Sequence, residues 1–325
     1  MVDLLIAGSG IPGSSCRPIR IPRVRRSGGT PISMLPGRDS GHCGSGTCLR
    51  TILIKPSILL LLLLLAFQSV SAKANVSDTL NAGFNRMYEL KFPEARQVFN
   101  SYIRKHPSDP MGEVSLAASY LFEEFNKHGV LTSSFFLNNK KLLGGIPDPG
   151  KDRYQTEFLR ADSQARQMAQ RLLAANPSDR TGLFVITLAD GMQADYDALV
   201  AKRDLDSLML LHRTKKLARK LLAVDPGADD AYLALGAANY IIGCLPGYKR
   251  FFLSLGGIHG SRKLGMHQLR LAAQHGHYLK PFAKVMLALA ALREKQPALA
   301  LQLFKELHDQ FPENHVFASE LAKLR

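Results

Sequence analysis

Four short polar marks, each centred on a proline, divide the chain after residue 100 and constrain its fold more than any other feature. Each mark follows a stretch in which apolar residues recur with a helical period, and proline ends such a helix while the next polar residue caps another. No alternating strand pattern stands out between them. The chain is therefore predicted to be all-α, with about ten to twelve helices stacked as a curved solenoid. The marks are His106-Pro107-Ser108-Asp109, Asn176-Pro177-Ser178-Asp179, Asp225-Pro226-Gly227-Ala228 and Phe311-Pro312-Glu313-Asn314.

The stretch 281–317 shows the repeated unit most clearly. It reads as two antiparallel helices and the start of a third, with Ala288 and Ala300 placed where the helices cross. Phe304 and Leu307 fill the space beside them, and Pro312 closes the unit. This spacing resembles the tetratricopeptide repeat (TPR), a helical hairpin of about 34 residues that usually makes a binding surface. Parts of the same pattern recur at Gly83, Ala95, Phe99 and Pro107, and again at Tyr232, Leu235 and Gly236.

Two insertions interrupt the repeat. The prolines of successive marks lie 70, 49 and 86 residues apart, so the array is irregular. The first insertion is 128–150 and the second is 243–265; each contains Phe-Phe-Leu (135–137 and 251–253) and then Gly-Gly-Ile (144–146 and 256–258). Lys or Arg lies beside each motif. One interpretation makes them aromatic, basic elements that line a binding groove or touch a membrane surface. The other makes them short helices that fill gaps between hairpins, with glycine in the tight turns.

The stretch from Gly243 through Pro312 also resembles the eukaryotic inclusion-body-clearance family of TPR proteins. The shared features include Pro246, the apolar segment 251–255 and the run Gly257-Ile258-His259-Gly260-Ser261-Arg262. That family carries an aromatic residue in place of Ile258 and an acidic residue in place of Ser261. The resemblance implies a TPR fold and brings no enzymatic chemistry with it.

The N-terminal part has a different character. Residues 1–49 are rich in Gly, Ser, Pro and Arg and are predicted to be a disordered basic leader, with Met34 as an alternative to Met1 as the start. Residues 50–72 have the form of a signal peptide: Lys55, an apolar run, and a small-residue cleavage site ending at Ala72. Retention as a membrane anchor is the alternative. We therefore expect export, to the periplasm or the cell envelope, and a TPR-like domain over 73–325.

The search for chemistry returns no enzyme motif. His259, His267, His275 and His277 lack the spacing of a metal site, and no metal or cofactor is expected. Cys244 lacks an identifiable base and is predicted to be a buried, inert thiol. An acidic group is predicted to form a polar, solvated linker between two helices; it comprises Asp190, Asp195, Asp197, Asp204 and Asp206.

These patterns favour an exported, non-enzymatic scaffold that binds a protein or peptide in a concave groove. The net charge of +15 favours an acidic partner over a basic one, and no nucleic-acid-binding fold is indicated. The alternative is a membrane-associated envelope protein that docks through the two insertions. The candidate binding residues are Tyr120, Phe135, Phe136, Asp190, Asn239, Tyr240, Phe251 and Phe252.

Overall fold

The protein is all-α in the computed structural model, which describes residues 78–146 and 153–324 and shows no strand within them. These residues belong to one compact unit, Pro56–Arg325. The predicted leader, 1–49, and the predicted signal segment, 50–72, lie outside the described residues. The helices are α1 (78–88), α2 (Phe92–Lys105), α3 (Pro110–Lys127), α4 (Ser133–Phe136), α5 (Asn139–Gly144), α6 (Arg153–Ala175), α7 (Arg180–Leu199), α8 (Asp204–Val224), α9 (Ala231–Cys244), α10 (Gly247–Leu255), α11 (Arg262–His275), α12 (Lys280–Arg293), α13 (Pro297–Gln310) and α14 (His315–Leu324).

The long helices pack as successive hairpins, which confirms the predicted helical-repeat architecture. The pairs are α1/α2, α3/α6, α7/α8, α9/α11 and α12/α13, and α14 packs on α13 as the predicted cap. The marks end helices as expected, and three of them also cap the next one. Asp109 accepts from the Met111 N–H, Asp179 from the Gly182 N–H, and Asn314 from the Val316 N–H.

The insertions explain the irregular spacing of the marks. The first insertion contributes α4 and α5 between the two helices of the second hairpin, and the second contributes α10 between those of the fourth. The long last interval contains two hairpins, because α11 ends at Gly276 without a proline mark. The described residues form fourteen helices rather than the ten to twelve expected, since these short inserted helices add to the hairpins.

Small residues set the closest helix approaches, as the spacing predicts. A Cβ on Gly265 would lie 2.6 Å from the backbone nitrogen of Tyr240, so α9 and α11 touch through their backbones. In the last hairpin, Ala288 and Ala300 have no exposed surface, and Phe304 is fully buried beside them. Such close packing is what a hairpin needs in order to bury apolar surface without long side chains at the crossing point.

The first hairpin contacts the end of the array. The Tyr88 hydroxyl donates to the carbonyl of Tyr278 at 3.0 Å, and the Asn314 amide donates to the carbonyl of Tyr88 at 2.7 Å. The rings of Phe84 and Tyr278 lie 5.3 Å apart. Residues of α1, α3, α7, α9 and α12 line one cavity, so the first helices of the hairpins face a common interior.

The prediction that the acidic group forms a polar, solvated linker is wrong for three of its five members, since only Asp204 and Asp206, in the first turn of α8, are exposed. Asp190, Asp195 and Asp197 lie within α7, and Asp190 and Asp197 are buried. Both pair with arginine: Asp190 with Arg166 and Arg213, and Asp197 with Arg203. The sequence alone does not distinguish a buried, paired aspartate from an exposed one, because the arginine partner comes from another part of the chain.

Candidate functional site

The first insertion lies on the interior side of the hairpins. Phe135 and Phe136 are each only 5% exposed. The Phe136 ring stacks on Tyr240 of α9, with centroids 6.3 Å apart, and Arg293 of α12 donates to the Phe136 carbonyl at 2.9 Å. At the end of α5, the Ile146 N–H donates to the carbonyl of Leu199 at 2.7 Å. The insertion is therefore held to α7, α9 and α12 and forms part of the inner wall.

The second insertion faces outward. Tyr248, Phe251, Phe252 and Leu255 are between 61% and 72% exposed, and α10 contains no buried residue. Their spacing of i, i+3, i+4 and i+7 places all four on one face of the helix. The rings of Phe251 and Phe252 contact each other edge to face at 5.8 Å. We call these four side chains the α10 stripe.

The surroundings of the α10 stripe are strongly basic. Lys249 and Arg250 are exposed on the same helix. Between Asp230 and Glu294 the sequence contains no Asp or Glu, although it contains several Lys and Arg. An anionic surface is thus the complementary partner on electrostatic grounds.

The remaining candidate residues lie in the packed interior or in polar networks. The Tyr240 hydroxyl is buried and contacts the Ala290 carbonyl and the Glu294 carboxylate, while the Asn239 amide donates to Gln268 at 2.7 Å. Tyr120 is half-buried beneath the Arg96 guanidinium, 4.8 Å from its ring centroid. Asp190 is held by its two arginines. The structure brings Phe136 against Tyr240 and buries Phe135 in the same insertion, and it places Phe251 and Phe252 on a separate, outward surface.

Two adjoining cavities lie behind the first insertion, and sequence reasoning missed them. The larger has a volume of about 350 Å³ and is lined by Phe135, Phe136 and residues of α3, α7, α9 and α12. The smaller has a volume of about 80 Å³ and extends towards Phe84 of α1. No local motif marks such a space, because its walls come from helices that are distant in sequence. The exposure of Tyr248 and Leu255 was missed too, although their spacing from Phe251 and Phe252 was visible.

Chemistry elsewhere is limited. Within the part of the chain that the structure describes, no three His, Cys, Asp or Glu side chains are grouped to hold a metal ion. Cys244 is half-buried, and this burial raises the pKa of its thiol. A helix both long and apolar enough to cross a bilayer is not found in residues 78–146 or 153–324.

Comparison with known proteins adds a likeness to a solved structure. Neither a protein-family model nor a curated protein matches the chain. The crystal structure of a thermophilic TPR protein from Thermus thermophilus is similar at 16% identity and a TM-score of 0.42, covering 77% of this chain and 98% of that chain. The hairpin architecture of the present chain rests on its own contacts.

Proposed function

We propose that this protein is a non-enzymatic helical-repeat scaffold that binds a partner protein through the α10 stripe. The observation that carries the proposal is that a whole apolar helix face points into solvent. Exposed single hydrophobic residues are ordinary, whereas contiguous exposed apolar patches mark interaction sites.

The spacing of the stripe indicates how the partner is bound. An amphipathic helix with anchors at i, i+3, i+4 and i+7 is the element that lies in an apolar groove of another protein. Each aromatic side chain of this size buries on the order of 150–250 Å². Lys249 lies next to the stripe on the helix surface, and residues 231–293 contain no Asp or Glu, so the matching groove has an apolar floor and an acidic rim.

The partner is therefore proposed to bind on the outer surface and not in the interior of the hairpin array. A concave groove was the site expected from the sequence, yet the first insertion lies on the inner wall and the first hairpin contacts the last. An extended peptide would have to displace packed aromatic side chains to enter. The outward helix offers binding surface without that cost.

The test compares a stripe variant with a matched control. The stripe variant, Phe251→Ala with Phe252→Ala, removes both phenylalanines of the stripe, whereas Leu159→Ala truncates a 40% exposed leucine on α6. With a tagged chain and crosslinking capture from the native cells, we expect specific partners of the wild type to fall by about tenfold or more in the stripe variant. The Leu159 variant should capture them normally. Equal capture by all three proteins would contradict the proposal, provided that circular dichroism shows equal helix content.

Docking on an anionic membrane is the second candidate, because aromatic side chains beside Lys249 and Arg250 also suit a membrane interface. It is tested by cosedimentation with vesicles of phosphatidylcholine and phosphatidylglycerol. Binding that needs phosphatidylglycerol, weakens with salt and is lost in the stripe variant would favour the membrane. The absence of vesicle binding together with retained partner capture would favour a protein.

Export is part of the proposed function and rests on the segment 50–72 alone. An N-terminal sequence that starts at Lys73 in the mature protein would support cleavage after Ala72. A start upstream of residue 58 would overturn it.

A further inference from the structure

The two cavities behind the first insertion share one wall. Five side chains border both spaces: Phe125, Asp195, Leu211, Ala237 and Phe282. Four of the five are apolar, so Asp195 places a carboxyl group at the junction of two otherwise mainly apolar spaces. Asp195 is half-buried, and it lines both cavities.

Asp195 differs from the other two aspartates of α7. Asp190 and Asp197 are buried and paired with arginine, whereas Asp195 has no ion pair or hydrogen bond with any described residue. Burial alone raises the pKa of its carboxyl group to about 7, and no neighbouring charge offsets the effect. A carboxylate that is partly withdrawn from water and has no partner is costly, so its place beside the cavities requires a reason.

A second polar group in the same space is also unpartnered. Thr214 of α8 lines the smaller cavity, is 1% exposed, and its hydroxyl makes no hydrogen bond in the structure. Native proteins satisfy most buried side-chain polar atoms, so the unsatisfied Thr214 hydroxyl beside the unpaired Asp195 carboxyl group points to a missing partner. Both groups accept hydrogen bonds, and the carboxylate also attracts positive charge.

The size of the space limits what fits. The larger cavity exceeds the roughly 150 Å³ that suffices for benzene in an engineered apolar core. It also falls within the range of about 300–1,000 Å³ that is usual for small-molecule sites. An apolar chain or ring system fits walls made by Phe125, Phe135, Phe136 and Phe282.

We propose that the two cavities bind an apolar small molecule that carries a protonated amine, with the ammonium group placed against Asp195 and Thr214. An ammonium group has three donors and no acceptor, which matches two unpartnered acceptors. The apolar body then fills the larger cavity. The proposal does not depend on the α10 stripe, which lies on a different surface.

The experiment uses two probes of equal length, octylamine and 1-octanol, and isothermal titration calorimetry. We expect both to bind the wild-type protein, and octylamine to bind Asp195→Asn at least about tenfold more weakly, which is about 1.4 kcal/mol. Octanol should bind the two proteins equally within about twofold. Thr214→Val, which keeps the shape of the side chain, should weaken octylamine by a smaller factor.

The pH dependence separates a ligand contact from a structural role. Octylamine stays protonated below about pH 10, so its affinity should rise between pH 6 and pH 8 as Asp195 ionises. The other charged or titratable groups on these walls are Asp230, which accepts from three backbone N–H groups, Cys244 and Arg293. Asp195→Asn should remove this rise, and octanol should not show it.

Several outcomes would overturn the proposal. One is that octylamine binds Asp195→Asn as tightly as wild type. Another is that neither octylamine nor octanol binds the folded wild-type protein. Ala237→Phe fills the wall shared by the cavities and should weaken both probes. Full binding of both probes to a folded Ala237→Phe variant would show that they bind elsewhere and would also exclude this site.

Discussion

The two insertions share the Phe-Phe-Leu and Gly-Gly-Ile motifs, but their phenylalanines differ in burial. In the first, Phe135 and Phe136 are 5% exposed, whereas in the second Phe251 and Phe252 are 61% and 67% exposed. The first insertion meets α9 and α12 through the Phe136–Tyr240 stack and the Arg293 hydrogen bond. The second finds no such surface and keeps its apolar face in solvent. The motif alone therefore does not determine whether its aromatic side chains are buried. That depends on whether a neighbouring helix surface is available to cover them.

The comparison also divides the two roles. A segment that completes the inner wall is expected to act on stability and on the cavity behind it. A segment that leaves a helix face uncovered is expected to act on binding and to contribute little to stability. Variants made in pairs, one in each insertion, test this division.

The largest expected difference is between Phe136→Ala and Phe252→Ala. Truncating a buried phenylalanine costs about 3–5 kcal/mol, and we expect the lower end for Phe136 because its ring already borders a cavity. The exposed Phe252 should change the free energy of unfolding by no more than about 0.5 kcal/mol. Urea denaturation of both variants measures the difference. Similar losses in the two would mean that α10 packs in solution, which removes the basis for a free stripe.

The second pair uses the Gly-Gly-Ile motifs. Gly145 and Gly257 both have a positive φ, +67° and +75°, which costs a residue with a side chain about 1–2 kcal/mol. A Cβ at Gly145 would also lie 2.7 Å from the Leu199 carbonyl oxygen, while none of the neighbouring atoms comes within 4 Å at Gly257. We therefore expect Gly145→Ala to destabilise by about 2–3 kcal/mol and Gly257→Ala by about 1 kcal/mol. Equal destabilisation would show that the first turn is not held against α7.

A third prediction tests whether water is excluded from the cavities around Asp195, behind the first insertion. The folded-state pKa of Asp195 is about 7, above the value of about 3.9 in the unfolded chain. The folded protein thus holds the extra proton between these values, and its stability falls as pH rises through this window. Asp195→Asn should remove that loss and be more stable than wild type at pH 8 by at least about 1 kcal/mol.

Thermal and urea unfolding at pH 5 and pH 8 measure the effect. The pKa of Asp162 is also raised, to about 6, mainly by burial, but it is present in both proteins and cancels in the comparison. No stability difference at pH 8 would show that water or a counter-charge reaches Asp195, and it would argue against a low-dielectric cavity.

Features of the fold that depend on residues close together in the sequence could be predicted, whereas features that depend on residues far apart could not. Helix ends and caps are local, so Asp109, Asp179 and the prolines beside them predicted the hairpins correctly. The same holds for Ala288 and Ala300, because only small residues let two helices approach closely at a crossing point. The similarity of the two insertions was also visible in the sequence. The two interpretations, that they line a binding groove or that they fill gaps between hairpins, could both be stated from it.

The rest depended on contacts between distant parts of the chain. The insertion that stayed exposed, the arginine partners of Asp190 and Asp197, and the contact of Tyr88 with Tyr278 each join residues that no local pattern connects. Asp195 illustrates the limit, since it lies between two paired aspartates on one helix and only the third dimension shows that it lacks a partner. Sequence periodicity places a residue on a helix, but it does not show what the helix faces.

The smallest expected effect concerns the arginines beside each insertion. Arg293 donates to the Phe136 carbonyl and to Asn139, whereas Arg262 pairs with Glu294 at 3.2 Å while half exposed. We expect Arg293→Met to cost about 1 kcal/mol, because it leaves a backbone carbonyl in a sheltered place without a donor. Arg262→Met should cost no more than about 0.5 kcal/mol, as is usual for an exposed ion pair. Amide hydrogen exchange locates the effect: Arg293→Met should speed exchange in 139–146 and leave 247–258 unchanged. Faster exchange in both insertions would mean that they are coupled through α12, and the division between a fixed wall and a free helix would then be wrong.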